Sequence, residues 1–272
     1  MVLTERDKHI IRAVYDYRVL RQDQVQALFF GSSSAAQRRL ALLYHHGYLE
    51  RQFLLVHTGF MTSPTVYLLD RRGEELLRVE FGLDEVHWKS SHNQVSYDFL
   101  DHALAINDFR IAVTVASRQP GYELLDWHSE AEIKQDYDRV NIQTAKGRNR
   151  NVAVVPDSYF ALSTPYGNTH FLLELDRGTM TTKRFRTKVE AYMAYYRSGG
   201  YEKRYGARSL RMLTVTLSQR RLENLKAVTE EAGGTRWFWF GVLSELTPNA
   251  VFGESVWQVA GQEGCAPLIA AT

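Results

Sequence analysis

The chain has 272 residues, 44% of them hydrophobic and 12% aromatic, with a formal net charge of +2, enough apolar material for one large or two modest globular domains. A single cysteine, Cys265, excludes internal disulfides and cysteine-based zinc clusters. No stretch approaches the roughly 18 apolar residues of a membrane span, so a cytoplasmic protein without membrane insertion is expected.

Residues 3 to about 50 read as three helices. Thr4 caps a segment in which Ile10, Ile11, Val14 and Tyr17 recur at helical spacing, and a second short helix over 22–30 ends at Gly31. Ser32, Ser33 and Ser34 open a third, with Ala36, Leu40 and Leu43 as its apolar stripe and Gly47 as its stop. Two β-prone runs follow, 48–57 and 65–70, separated by a loop containing Gly59 and Pro64. Three helices and a hairpin make a winged helix-turn-helix, expected over 1–82, whose third helix enters the major groove. Gln37, Arg38 and Arg39 would then be its readers. Arg39 lies close to the apolar stripe, so an internal ion pair is its alternative, and protein docking is the alternative for the module.

A short helix over 73–79 precedes a polar connector, 83–96, where the domain boundary is expected. The second domain, 97–252, opens with a long helix over 97–117 in which His102 and Asn107 read as buried polar residues that fix its packing. Strands are expected over 124–130, 152–162 and 170–176, then a helix over 181–196, a strand over 211–217, a helix over 220–232 and a strand over 236–242. Residues 141–151, with Lys146, Arg148 and Arg150, read as a mobile basic loop, and 253–272 as a poorly ordered tail. The run Trp237, Phe238, Trp239, Phe240 is either an exposed docking edge or a buried central strand.

Two acidic motifs lie at strand ends. Asp157 follows Pro156 and closes the apolar run 152–155, and Glu174 and Asp176 close Phe171, Leu172 and Leu173. Carboxylates on neighbouring strands can hold Mg²⁺ or Mn²⁺, which lowers the pKa of an attacking water in phosphodiester cleavage. Lys188, on the next helix, could neutralise developing charge. Solvated turn formers are the competing reading of the acids. Strand alternation turns Glu174 and Asp176 to one face, so both could serve one site. From 177 to 211 there are ten basic residues against two acidic ones, and Arg177, Lys183, Arg184 and Arg186, with Arg148, would hold a DNA backbone beside that site.

The α-β-β-β-α-β order, with Asp on the second strand and Glu on the third, resembles the restriction-endonuclease-like PD-(D/E)xK superfamily. More narrowly, a winged helix followed by "HALAIND", "LLDWHSE", "VVPDSYFAL" and "FLLELDRGT", then Lys188 and Tyr192, resembles the replication-relaxation family over roughly residues 3 to 240. That family is associated with mobile elements and includes the MobC class of plasmid mobilisation relaxases. The resemblance implies an α/β (α+β) fold and a metal-dependent DNA nickase acting on double-stranded or locally melted DNA. Other proteins of a mobile-element complex are implied partners, and a homodimer is possible. It also implies Glu130 as a further metal carboxylate, with a strand-end surface acid as the alternative. Asp157, Glu174, Asp176 and Lys188 would be the catalytic set. The pattern's lysine, two residues after the third-strand acid, is replaced by Asp176, so the lysine role falls to Lys188 or Lys183, or else the site no longer cleaves. In that case the chain would be a DNA-binding regulator that uses the nuclease fold as scaffold. A tyrosine nucleophile, with Tyr192, Tyr195 and Tyr196 nearby in sequence, is weighed against water, which is favoured.

Overall fold

The computed structural model describes all residues except 55–63, 84, 144–146, 148, 208 and 271–272. The chain is a mixed α+β protein that divides into two compact units, Met1–Ile111 and Ala112–Thr272.

In the first unit, α1 (Glu5–Asp16) starts from a capping box in which the Thr4 side chain and Asp7 satisfy each other's backbone donors. A two-residue strand β1 (Leu20–Arg21), too short to leave a periodic signal, leads into α2 (Gln22–Phe29) and α3 (Ser33–His45). Gly47, at φ 72°, ends α3 in the left-handed conformation that glycine adopts without penalty. Strands β2 (Leu49–Phe53) and β3 (Thr65–Leu69) then form an antiparallel sheet in the order β1-β3-β2, followed by α4 (Arg71–Phe81). The loop expected around Gly59 lies outside the described residues.

The expected boundary at 83–96 differs from the division observed. Asn93 is buried, and its amide donates to Glu50 Oε2 at 2.6 Å and to the Leu69 carbonyl at 2.9 Å, which ties the connector to the first sheet. The next helix, α5 (Tyr97–Ala116), packs Leu100 and Leu104 against Val19, Val66 and Leu68. Asn107 of the same helix donates to the carbonyls of Tyr17 (3.1 Å) and Val19 (2.6 Å). A buried amide that satisfies two main-chain carbonyls is the packing role expected for it, and these contacts move the division into α5 itself.

The second unit contains β4 (Glu123–Ser129), α6 (Glu130–Ile133), a hairpin of β5 (Arg139–Gln143) and β6 (Asn149–Ala153), then β7 (Ser158–Thr164) and β8 (Gly167–Asp176). After these come α7 (Thr182–Arg197), α8 (Gly200–Tyr205), β9 (Leu210–Thr216), α9 (Gln219–Glu231), β10 (Phe238–Val242), β11 (Trp257–Val259) and β12 (Cys265–Ala266). Seven strands form one sheet in the order β12-β11-β10-β9-β8-β7-β4. β8, β9 and β10 are mutually parallel and are joined through α7 and α9; the flanking pairs are antiparallel. Phe185 and Val189 of α7 and Leu222 and Leu225 of α9 pack with Leu172, Met212 and Phe240 of the sheet, which buries one whole face.

Three expectations are corrected. The second strand does not run from 152: residues 152 and 153 finish β6, and the chain enters β7 only at Ser158, so Asp157 precedes its strand rather than ending one. Residues 139–143 and 149–153 form a two-stranded ribbon rather than a mobile loop, because Val140 and Ile142 bury one side of it; Lys146 and Arg148 lie outside the described residues. The tail is built into the sheet as β11 and β12, with Trp257 and Leu268 fully buried. β10 is therefore an interior strand paired on both sides, and the run from Trp237 to Phe240 is no open docking edge.

Candidate active site and nucleic-acid interface

Glu174 lies on β8, between β7 and β9, with its side chain 5% exposed. Lys188 and Tyr192, one helical turn apart on α7, both reach it. The Lys188 ammonium donates to the two Glu174 oxygens at 2.6 Å each, and the Tyr192 hydroxyl donates to Oε1. Their i, i+4 spacing puts both on the helix face that meets the strand. Beside them is a cavity of about 10 Å³, lined by Glu174, Lys188, Tyr192 and Thr214 with apolar neighbours, room for one water at most.

Asp157 is fixed against the same strand on either side of Glu174. Its backbone N–H donates to the Leu173 carbonyl at 2.9 Å, and its Oδ2 accepts from the Leu175 N–H at 2.7 Å. Burial drives the Glu174 carboxyl up to about 7; Lys188 pulls it down, and the Asp157 charge pushes it further up. For Lys188 burial acts downward, but the charges of Glu174, Asp157 and Glu130 outweigh it and hold the ammonium above its ordinary range. The two partners move in the same direction for different reasons: burial disfavours the charged form of the Glu174 carboxyl, whereas the neighbouring carboxylates favour the charged form of the Lys188 ammonium. Tyr192 is raised well above its usual value by burial and by Glu174, which makes it a poor nucleophile. Tyr195 donates to Asp138 Oδ2 at 2.6 Å, and Tyr196 stacks on Trp237 at 3.7 Å.

The remaining expected site residues fall elsewhere. Asp176 shares the Glu174 side of β8 and is clamped by Arg221 of α9, which also donates to the Met180 carbonyl at 2.6 Å. Its other oxygen, Oδ1, is buried and accepts no hydrogen bond among the described residues. Nothing local in the sequence signals Arg221. Glu130 starts α6, is 45% exposed, pairs with Lys134 at 2.7 Å and raises Lys188 through its charge.

Among the groups expected on DNA, Gln37 and Arg38 are exposed on α3, and Lys183 and Arg184 are exposed in the first turn of α7. Arg177 is half-buried. Arg186 is engaged by Glu190 and Glu231 at 3.7 and 3.5 Å, exposed pairs of small energetic weight. Arg148 lies outside the described residues. Arg39 is not a reader: its guanidinium holds the fully buried Asp7 and donates to the Val2 carbonyl at 3.2 Å. Arg39→Ala is expected to lower stability by about 3 kcal/mol, because Asp7 loses its partner inside the protein. Arg38→Ala should leave the melting temperature unchanged; thermal denaturation of the two variants checks the contrast.

The model of one protein family, replication-relaxation, matches residues 11–210, a span that takes in α3, Asp157, Glu174 and Lys188. The chain belongs to the replication-relaxation family. Its mixed α+β architecture is therefore that of a replication-relaxation protein, and membership suggests a role in replication or relaxation. Neither the curated proteins nor the solved structures gave a match. No helix among the described residues is long and apolar enough to cross a membrane.

Proposed function

We propose that this replication-relaxation protein binds DNA through its first unit and nicks one strand at Asp157, Glu174 and Lys188 with the aid of Mg²⁺ or Mn²⁺, in the replication, mobilisation or maintenance of a mobile element. The observation that carries the reading is geometric: Asp157 is hydrogen-bonded to the main chain on both sides of the buried Glu174, whose two oxygens hold Lys188, and the Asp157 charge adds a repulsion that pushes the Glu174 carboxyl up. A divalent cation would relieve it. The donor set fits such an ion in kind, since Mg²⁺ takes one or two carboxylates and completes its shell with water and phosphate oxygens. No group of three or more His, Cys, Asp or Glu among the described residues is arranged to hold a metal, so the protein would supply Asp157 and Glu174 alone.

When bound, the metal supplies Lewis-acid polarisation of the phosphate and an activated water. The chain's own residues do the positioning. Asp157 is locked by the main chain around Glu174, and Tyr192 fixes the rotamer of Glu174. Lys188 shares the Glu174 oxygens and can turn its ammonium to a phosphate when one of them is taken up. The order α1-β1-α2-α3-β2-β3 is compatible with a winged helix, and that supports Gln37 and Arg38 of α3 as groove contacts. Lys183 and Arg184 would hold the backbone.

The deciding experiment is nicking of supercoiled DNA from the protein's own genetic neighbourhood with Mg²⁺ or Mn²⁺. Asp157→Ala and Glu174→Ala should each lower the rate more than about a hundredfold, since changes one shell further out already cost about 10- to 100-fold. Protons compete with metal for Glu174, so nicking should rise with pH through about 7 and then level off. DNA binding without metal-dependent nicking would instead support a non-catalytic regulator, a reading favoured by Lys188 occupying both Glu174 oxygens.

A further inference from the structure

We propose that the outward face of the β5–β6 ribbon is a second DNA-reading surface, contacting base edges through Arg139, Asn141, Gln143, Asn149 and Asn151. The inference rests on the DNA-binding reading above and adds to it a site and a mode of recognition.

The two faces of the ribbon have opposite chemistry. Val140 and Ile142 are 8% and 7% exposed and join the core beneath α7 with Val152, while Arg150, opposite Ile142 on the same side, is exposed. Antiparallel register places Asn141 opposite Asn151 and Gln143 opposite Asn149 on the other side, with Arg139 next along β5. All five are exposed. Asparagine is among the residues most depleted in strands, where threonine and β-branched residues fit the pleat. Three asparagines on two five-residue strands therefore run against local propensity, and a solvated face has no need of them.

What the carboxamides share is a donor and an acceptor held in one plane, the pairing that matches the N6 and N7 edge of adenine, while arginine matches the O6 and N7 of guanine. A two-stranded ribbon is also narrow enough for the major groove. The face carries no carboxylate to repel phosphate: its outward positions are Arg139, Asn141, Gln143, Asn149, Asn151 and Ala153. The nearest acids on the chain, Asp136 and Asp138, are held by Arg204, and Asp138 also by Tyr195. The side chains are partly ordered in advance, since Arg139 donates to Asn151 and Asn151 donates to Asn141 at 3.0 Å, which lowers the entropy lost on binding. β6 ends at Ala153, four residues before Asp157, so the ribbon is joined to the candidate site by a short stretch of chain.

The test is selection of binding sequences from a randomised DNA duplex pool by the full-length protein, by an Asn141→Thr, Gln143→Thr, Asn149→Thr variant and by Arg38→Ala. Threonine suits strands, so the ribbon itself is kept. The ribbon variant should lose base preference at one contiguous group of positions and bind the wild-type-selected duplex about ten- to a hundredfold more weakly. Its affinity for unselected duplex and its salt slope should not change, and Arg38→Ala should erase a different group of positions. An unchanged motif and affinity would overturn the ribbon assignment. So would a uniform loss on all sequences, which is phosphate contact without reading. If the wild-type protein retains no duplex at all, the DNA-binding reading itself fails.

Discussion

Lys188→Met should abolish nicking and cost about 3 kcal/mol of stability, whereas the double variant Glu174→Gln, Lys188→Met should recover most of the stability and none of the activity. Removing one member of a buried ion pair strands the other, typically at about 3–5 kcal/mol, while replacing both with neutral groups of similar shape is often nearly neutral. Glu174, 5% exposed, and Lys188, 25% exposed, meet that condition. The cost should also depend on pH. The folded-state pKa of Glu174 is raised from 4.5 to about 7, so its favourable contribution is complete below the lower value and is lost as pH rises through the upper one. Lys188 is raised as well, and its contribution is lost only in the alkaline range. Around neutrality the Glu174 sign decides: Lys188 supports the ionised carboxylate, so the destabilisation of Lys188→Met relative to wild type should widen as pH rises through about 7. Urea unfolding well below and well above that pH measures it; a constant difference would mean that Lys188 is not there to support the Glu174 charge.

The parts of this protein that could be read in its sequence are those whose signal is local and periodic. The capped α1, the stripe of Ala36, Leu40 and Leu43 on α3, and the apolar strands β8 to β10 announce themselves within a few residues. The carboxylates of Asp157 and Glu174 stand out in the sequence for a related reason, since an acid beside an apolar run is costly, and the structure brings Lys188 of the next helix onto Glu174. What was hidden depends on partners far along the chain. Asp176 is claimed by Arg221, 45 residues away, and no spacing rule connects them. The β5–β6 ribbon reads as a loop because its basic and amide residues mask an alternation carried by only Val140 and Ile142 on one strand. The division falls inside α5 because Asn107 bonds to carbonyls some ninety positions earlier and Leu104 packs against Val19, Val66 and Leu68, an attachment that a polar connector does not reveal.

The last strands make the same point with a larger energetic consequence. Trp257→Ala should destabilise the second unit by about 3–5 kcal/mol, the usual cost of deleting a large buried aromatic, and truncation after Phe252 should leave it aggregation-prone. Trp257 has no exposed surface, and its indole N–H donates to the Val251 carbonyl at 2.9 Å. Its ring lies against Gly241 of β10: a β-carbon there would stand 3.1 Å from the indole and 3.0 Å from Leu246, so the glycine is what lets the tail close on the sheet. β11 pairs with β10 at Trp239 and Phe240. Without it those aromatic positions would border an unpaired edge, the feature that templates intermolecular strand pairing. Denaturant unfolding of Trp257→Ala, with light scattering of the truncated chain, separates the two possibilities for 253–272. A disposable tail predicts no change in either measurement, and a structural one predicts lower unfolding stability and higher scattering. Because β10 is held on one side by β11 and on the other by β9, the neighbour of the strand carrying Glu174, the same variant should weaken metal-dependent nicking even though it lies outside the candidate site.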